Sequence, residues 1–314
     1  MKHSLIVLIG PTGVGKTDVA IEIASHFKCE IISADSRQFF REMRIGTAVP
    51  TLHQLETIKH HFIRFLSIKD YYSSSLFERD VLELLPKLFS SGNIALMTGG
   101  SGLYIDAVCS GIDDIPDVDS NMREKYLAKY SKEGIEGLRE TLKILDPEYY
   151  KIVDLNNYKR IIRALEICES TGMPYSSFLR NAIKEREFGI IKVGLERPRD
   201  ELYMRINQRV DEMVKMGIED EAKQLYHFRK LNALNSVGYK EFFDAFDGKI
   251  PREKAIELIK RNSRRYAKRQ ITWWGKDKEI KWFHPDHVKD IIKYCSARCT
   301  PFDSPWQGEK PPLF

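Results

Sequence analysis

Leu5-Ile-Val-Leu-Ile9 runs straight into Gly10-Pro-Thr-Gly-Val-Gly-Lys16-Thr17, and Asp18–Phe27 follows as an amphipathic stretch. An apolar strand, a glycine-rich loop and a helix, in that order, are the setting in which G-x-x-x-x-G-K-T acts as a phosphate loop. The glycines let backbone N–H groups converge on an anion at a helix N-terminus, where the helix dipole also favours negative charge. Lys16 adds a point charge, and the Thr17 hydroxyl stands where it can ligate Mg²⁺. Gly10, Pro11, Thr12, Gly13, Val14, Gly15, Lys16 and Thr17 are therefore the expected binding segment for a di- or triphosphate. The loop by itself does not say which molecule carries the phosphates.

Beyond the loop, Glu30–Ser33 and Ile94–Thr98 read as further short, nearly all-apolar strands, and Ser75–Phe89 as a helix closed by Gly92. Buried strands separated by helices predict an α/β fold, a P-loop-containing parallel sheet flanked by helices. From Asp113 the character changes. Asp113-Asp-Ile-Pro-Asp-Val-Asp119 reads as a linker, and charged helical stretches follow without a strand until Phe188. The expected organisation is a discontinuous core domain over 1–113 and 186–296, an all-helical insertion domain over 114–185, and a flexible tail over 297–314. In the second core segment Phe188–Leu195 reads as a strand, and Arg199–Met216, Ile218–Arg229 and Pro251–Trp274 as helices.

The 314 residues carry 50 Lys and Arg against 45 Asp and Glu, a formal net charge of +5. That balance does not by itself call for nucleic acid, so the distribution of charge matters more. No apolar run approaches the roughly 20 residues of a membrane span, and no secretory or transit pattern precedes the first strand. Five scattered cysteines suit free thiols in a reducing compartment. A cytoplasmic monomer with no membrane partner is the expectation.

An ordinary phosphate-loop NTPase places a metal-holding acid at the end of a buried strand. Ile94–Thr98 instead ends in Gly99-Gly100-Ser101, and the acid follows the second strand, in Ile31-Ile-Ser-Ala-Asp35-Ser36. Strand C-terminal ends form the ligand crevice of an open parallel sheet, so Asp35 is expected beside the loop, facing the ligand as a base. The alternative is an N-cap on a helix over Ser36–Met43.

Basic charge gathers on helices. In Pro251–Trp274, Lys260, Arg264 and Lys268 recur at i, i+4, beside a row of Arg261, Arg265 and Arg269, with Tyr266, Trp273 and Trp274 interleaved. Few acidic partners accompany them, a pattern suited to a polyanionic backbone and stacked bases. Lys159-Arg160-Ile-Ile-Arg163 forms a second cluster, and the two together favour RNA over a merely solvated face. Arg205 and Arg209 share one helix face, from which one could reach a diphosphate. His60-His61, His284, His287, Cys295 and Cys299 lack metal-site spacing; His60 and His61 fit a strand or its edge.

Taken together, these residues resemble the tRNA dimethylallyltransferase, or tRNA isopentenyltransferase, family in its bacterial form, over nearly the whole chain to Trp274. The matching blocks are residues 10–17, Ala34-Asp-Ser36, Gly46-Thr-Ala48, His60-His61, Tyr72-Ser73, residues 99–104 and Arg160–Glu166. Arg205–Asp211, Val237–Glu241 and Arg265–Trp273 complete them, the last being the most specific. The resemblance implies transfer of a dimethylallyl group from dimethylallyl diphosphate to N6 of tRNA adenosine 37, next to the anticodon. It implies that Thr12–Thr17 hold the diphosphate with Mg²⁺ on Thr17, that Asp35 is the general base, and that Arg209 is a diphosphate ligand. It also implies tRNA contacts from Asp35, Ser36, Arg37, Gln38, Ser101, Arg123, Lys159, Arg160, Ile161, Ile162 and Arg163. The basic helix would add Arg264, Arg265, Lys268 and Arg269.

Three features depart from the family pattern: Ser101 where threonine is usual, Phe62-Ile-Arg64 after the histidine pair, and Val49 where lysine is common. Three other readings fit parts of the chain. A small-molecule kinase would use ATP in the same loop but has no need of the basic helix. An RNA-binding module with a vestigial loop would not need Lys16, Thr17 and Asp35 intact. A free adenine-nucleotide prenyltransferase would not need the insertion.

Overall fold

Alternation with a period of two builds the central sheet. In the first strand Leu5, Val7 and Ile9 pack on one face and Ile6 and Leu8 on the other, all essentially buried. The structure is a computed structural model that describes residues 3–116, 120–180 and 183–299. The chain divides into two compact units, Met1–Cys109 with Glu185–Phe314, and Ser110–Lys184.

In the first unit, β1 (Ser4–Ile9), α1 (Lys16–Phe27), β2 (Ile31–Ala34), α2 (Leu52–Thr57), β3 (His60–His61), α3 (Ser74–Ser91), β4 (Ile94–Gly99) and α4 (Gly102–Ser110) follow in order. The second unit holds α5 (Ser120–Leu145), α6 (Pro147–Ile152) and α7 (Tyr158–Thr171). The first then resumes with β5 (Gly189–Leu195), α8 (Arg199–Lys215), α9 (Ile218–Leu225), α10 (Tyr239–Phe246), α11 (Arg252–Trp274), β6 (Lys281–Phe283) and α12 (Val288–Ser296).

The six strands are parallel, in the order β3-β2-β4-β1-β5-β6. Ile9 pairs with Gly99 on one side and Gly194 on the other, and Ala34 also pairs with Gly99. The C-terminal ends of β1, β2, β4 and β5 therefore lie side by side, where an open parallel sheet presents its crevice. Side chains of α3 and α4, among them Phe77, Val81 and Ile105, cover one face. Those of α1, α8 and α12, including Val19, Ile23, Leu202 and Ile291, cover the other. A third core joins α8, α9, α10 and α11 around the fully buried Tyr239 and Phe242.

The helical unit folds around Tyr126, Leu138, Leu142, Ile161, Ile162 and Leu165, at which α5 and α7 meet. A positive φ of 70° at Gly134 interrupts α5.

The expected α/β class, its parallel sheet and its all-helical insertion are borne out. The helix expected over Ile218–Arg229 ends at Leu225 and tightens into a 3₁₀ turn over Tyr226–Phe228. Residues 300–314 of the expected flexible tail, and 117–119 of the expected linker, lie outside the described residues. Among the described residues no helix is long and apolar enough to cross a membrane. All five cysteines are free, and four are buried. Burial pushes the Cys29 and Cys295 thiols up to about 12, which leaves them protonated and unreactive at neutral pH.

Candidate active site

The loop between β1 and α1 needs glycine where it turns. Gly10 and Gly13 have φ of 154° and 82°. A methyl group on Gly10 would meet the Leu195 carbonyl at 2.8 Å, and one on Gly13 would meet Ile206 at the same distance. Around this loop the cations are fixed to its carbonyls. Lys16 Nζ donates to Gly10 O at 2.8 Å and Pro11 O at 2.9 Å. Arg205 Nε donates to Gly13 O at 3.0 Å, and Arg197 Nε to Val14 O at 2.9 Å. With those four carbonyls engaged by positive groups, the loop is a positive concavity that favours an anion. Burial pulls the Lys16 ammonium down to about 7; nearby Asp35 opposes that shift and Arg209 adds to it.

Two more residues close the loop. Arg209 Nη1 donates to Thr12 Oγ1 at 3.2 Å. Gln270, buried on α11, accepts from Thr12 N at 2.8 Å through Oε1 and donates to Gly100 O at 2.8 Å through Nε2. One amide thus ties the phosphate loop to the turn after β4.

Beside the loop lies a cavity of about 330 Å³. Thr12, Asp35, Arg37, Arg209 and Tyr266 contribute its polar wall, and Ile206, Val210, Met213, Val237 and Ile259 an apolar one. Asp35 directly follows β2. Its Oδ1 accepts from Arg37 N at 3.0 Å, so the carboxylate closes a local turn. The helix over Ser36–Met43, the alternative role for Asp35, does not form; that segment is a run of turns. Burial lowers the Arg209 pKa against the pull of Asp35. Burial and then Asp35 raise that of Tyr266, which keeps a neutral phenol beside the carboxylate.

Neighbouring loops are braced from behind. Ser101 Oγ accepts from Ser36 N at 2.9 Å and lies 3.0 Å from Ser36 Oγ. Glu221 accepts from the backbone of Arg44, Ile45 and Gly46 and from the Tyr239 hydroxyl, holding the Gly46–Ala48 turn. Glu241 accepts from Gly238 N and Asn262 Nδ2 and fixes the loop over Asn235–Gly238. Arg37 Nη1 donates to the carbonyls of Asn232 and Ala233.

The remaining expected RNA contacts separate into exposed and engaged groups. Arg265, Lys268 and Arg269 of α11 are exposed, whereas Arg264 turns towards α8, donating to Asn207 Oδ1 at 2.5 Å with the Tyr203 ring beside it. Lys260 likewise pairs with Asp211. Gln38 is also engaged: Nε2 donates to the carbonyls of Thr47 and Ala48, and Oε1 accepts from Ser33. In the helical unit Lys159 and Arg160 are exposed. Ile161 and Ile162 are 0% and 1% exposed in the core of that unit. Their expected contact with tRNA is therefore corrected: both side chains anchor α7. Buried Glu166 stands 3.5 Å from Arg123 and 3.5 Å from Arg163, between the two guanidiniums.

Thr17 lies in the first turn of α1. His60 and His61 form the edge strand β3, with His61 Nε2 2.5 Å from Glu30 Oε2. Among the described residues no group of three or more His, Cys, Asp or Glu is placed to hold a metal ion. Gln270, Arg197 and Glu221 are the supporting residues that the sequence reading missed. Gln270 sits inside the Arg265–Trp273 block as its single carboxamide, the one signal present.

A family model described as IPP transferase matches residues 38–277. The chain is 53% identical to tRNA dimethylallyltransferase 1 of Bacteroides fragilis over 294 residues, covering 94% of this chain and 98% of that one. It is 52% identical to the tRNA dimethylallyltransferase of Christiangramia forsetii over 299 residues, with 95% and 99% covered. Among solved structures, the full-length tRNA isopentenylpyrophosphate transferase from Bacillus halodurans superimposes with a TM-score of 0.70 at 35% identity, over 95% of this chain and 97% of that one. A eukaryotic dimethylallyltransferase solved acting on tRNA gives 0.73 at 26% identity, over 94% and 77%.

Proposed function

We infer the division of labour in the site from one premise: the chain belongs to the IPP transferase family, and it transfers a dimethylallyl group to tRNA. The donor in this reading is dimethylallyl diphosphate. Its diphosphate lies in the loop Gly10–Thr17 against Lys16 and Arg209, and its five-carbon group lies on the apolar wall of Ile206, Val210 and Met213. The acceptor is N6 of adenosine 37, turned out of the anticodon loop into the cavity. N6 attacks C1 of the donor, the C–O bond to the diphosphate breaks with its electron pair, and the amine proton passes to Asp35. The adenine amine is a weak nucleophile because its lone pair is delocalised, so a carboxylate aimed at its proton helps. With Oδ1 occupied by Arg37 N, Oδ2 is the oxygen for that task.

Thr17 would hold Mg²⁺. A hydroxyl completed by diphosphate oxygens and water suits this small, hard cation better than a cluster of protein ligands, and the ion would neutralise charge on the departing diphosphate. Arg265, Lys268 and Arg269, and Arg123, Lys159, Arg160 and Arg163 of the helical unit, would grip tRNA phosphates in the cytoplasm.

The observation that carries this reading is the cavity itself, where Thr12 of the phosphate loop, Arg209, an apolar wall and the Asp35 carboxylate line a single space. The test incubates the protein with Mg²⁺, dimethylallyl diphosphate and an anticodon stem-loop, and weighs the RNA. Addition of one five-carbon group to the adenosine next to the anticodon supports it; no addition to any such RNA overturns it.

A further inference from the structure

Trp273 and Trp274 are neighbours at the end of α11 with opposite fates. Trp274 is 3% exposed in the core, while Trp273 is 45% exposed. An exposed indole is ordinarily free to reorient, but this one is fixed. Its Nε1 donates to Asp106 Oδ2 at 2.8 Å. It also packs so closely on the turn after β4 that a methyl group on Gly102 would stand 2.5 Å from Nε1.

The ring borders a groove of about 740 Å³ also lined by Arg265, Lys268, Arg269 and Lys276. Four cations face one carboxylate there, and Asp106 has an oxygen engaged by the indole. An immobile aromatic face among cations is the combination that single-stranded RNA uses, bases on the ring and phosphates on the charges. Arg269 lines both this groove and the reaction cavity. A nucleotide held in the groove would therefore adjoin the base held in the cavity.

We propose that Trp273 is a stacking platform for one nucleobase of the tRNA anticodon loop, a neighbour of the reacting adenosine, with Arg265, Lys268 and Lys276 on the adjacent phosphates. The proposal rests on the tRNA reading of the site. Asp106 and Gly102 act as positioning residues that hold the ring ready, so stacking costs little ordering of the protein.

The experiment is a cycle between protein and RNA. Stem-loops carrying an abasic residue at each loop position except the reacting one are titrated against wild type, Trp273→Ala and Trp273→Phe. Trp273→Ala should weaken binding of the intact stem-loop about tenfold, and Trp273→Phe should retain most of the affinity. At one loop position the abasic change should weaken wild type by a similar factor while leaving Trp273→Ala unaffected. Losses that multiply at every position, or unchanged binding by Trp273→Ala, overturn the platform. Should Trp273→Ala fail to fold, Trp273→Leu keeps an apolar side chain there without the aromatic face and carries the same test. Five-carbon transfer by wild type to the intact stem-loop is scored in parallel. Transfer without the cycle's signature defeats the platform alone, whereas no transfer defeats the reading beneath it.

Discussion

The cations around the phosphate loop and those of the helical unit are built on different plans. Lys16, Arg197, Arg205 and Arg209 are bonded to the loop itself. Lys159 and Arg160 stand exposed, and Arg123 is half in water with a 3.5 Å contact to Glu166. The difference suits what each set would face in the proposed reaction. Charge that develops on a leaving group appears at one place, and donors fixed beforehand need no reorganisation when it does. An RNA backbone presents many equivalent phosphates, and long, solvated side chains can follow them at the cost of sensitivity to salt.

The largest expected effect falls on the fixed side. Asp35→Asn should lower the single-turnover transfer rate by about 10²- to 10⁴-fold, with stem-loop affinity within about twofold of wild type. A parallel loss of both would move Asp35 to the binding side of the comparison. Gln270→Ala comes next. It leaves Thr12 N–H and Gly100 C=O without their partner, at about 1–3 kcal/mol for each group that stays dry. Calorimetry should show donor affinity reduced tenfold or more, and the salt dependence of RNA binding unchanged.

The Lys16 ammonium supplies a pH test. With a pKa of about 7 in the free protein, it is charged below that pH and neutral above it, and a bound diphosphate pulls it back to the charged form. Donor affinity should therefore fall above pH 7, by up to about tenfold per pH unit. Titration at pH 8 in buffers of different ionisation enthalpy should show proton uptake that fades by pH 6. The linked effect on folding has the opposite sense. Between pH 7 and the ordinary lysine value the unfolded chain holds the extra proton, so this group's contribution to stability rises with pH. The smallest effect belongs to the exposed side. Lys159→Ala with Arg160→Ala should reduce the salt slope of stem-loop binding by about 0.7–0.9 for each phosphate that is no longer neutralised, leaving donor affinity intact. A change in donor affinity would erase the distinction between the two sets.

Local pattern carried the strands, the phosphate loop and the place of Asp35, because each depends on a short run of residues. It also carried exposure at Lys159 and Arg160. It failed at Ile161 and Ile162, two apolar residues inside a basic block whose helical phase points them into the unit's core. Nor did it show that the Gln38 amide donates to carbonyls about ten residues away. The braces from Gln270, Arg197 and Glu221 were hidden for a different reason. Each joins segments more than 170 residues apart, and no periodicity in one segment reports on the other.

Thr12 and Gln270 are 258 residues apart, and β1 has β5 as one of its two neighbours, with the entire helical unit between them in the chain. On the ribosome the phosphate loop is therefore made long before the segments that complete it. While the helical unit is being synthesised, β1 has one side unpaired, and an open apolar edge of that kind invites pairing with other chains. The insertion, which has its own core, is complete in the chain before α8 and α11 supply the loop's braces. Truncation anywhere before α11 should leave a recognisable loop motif without the amide that ties it to the turn after β4.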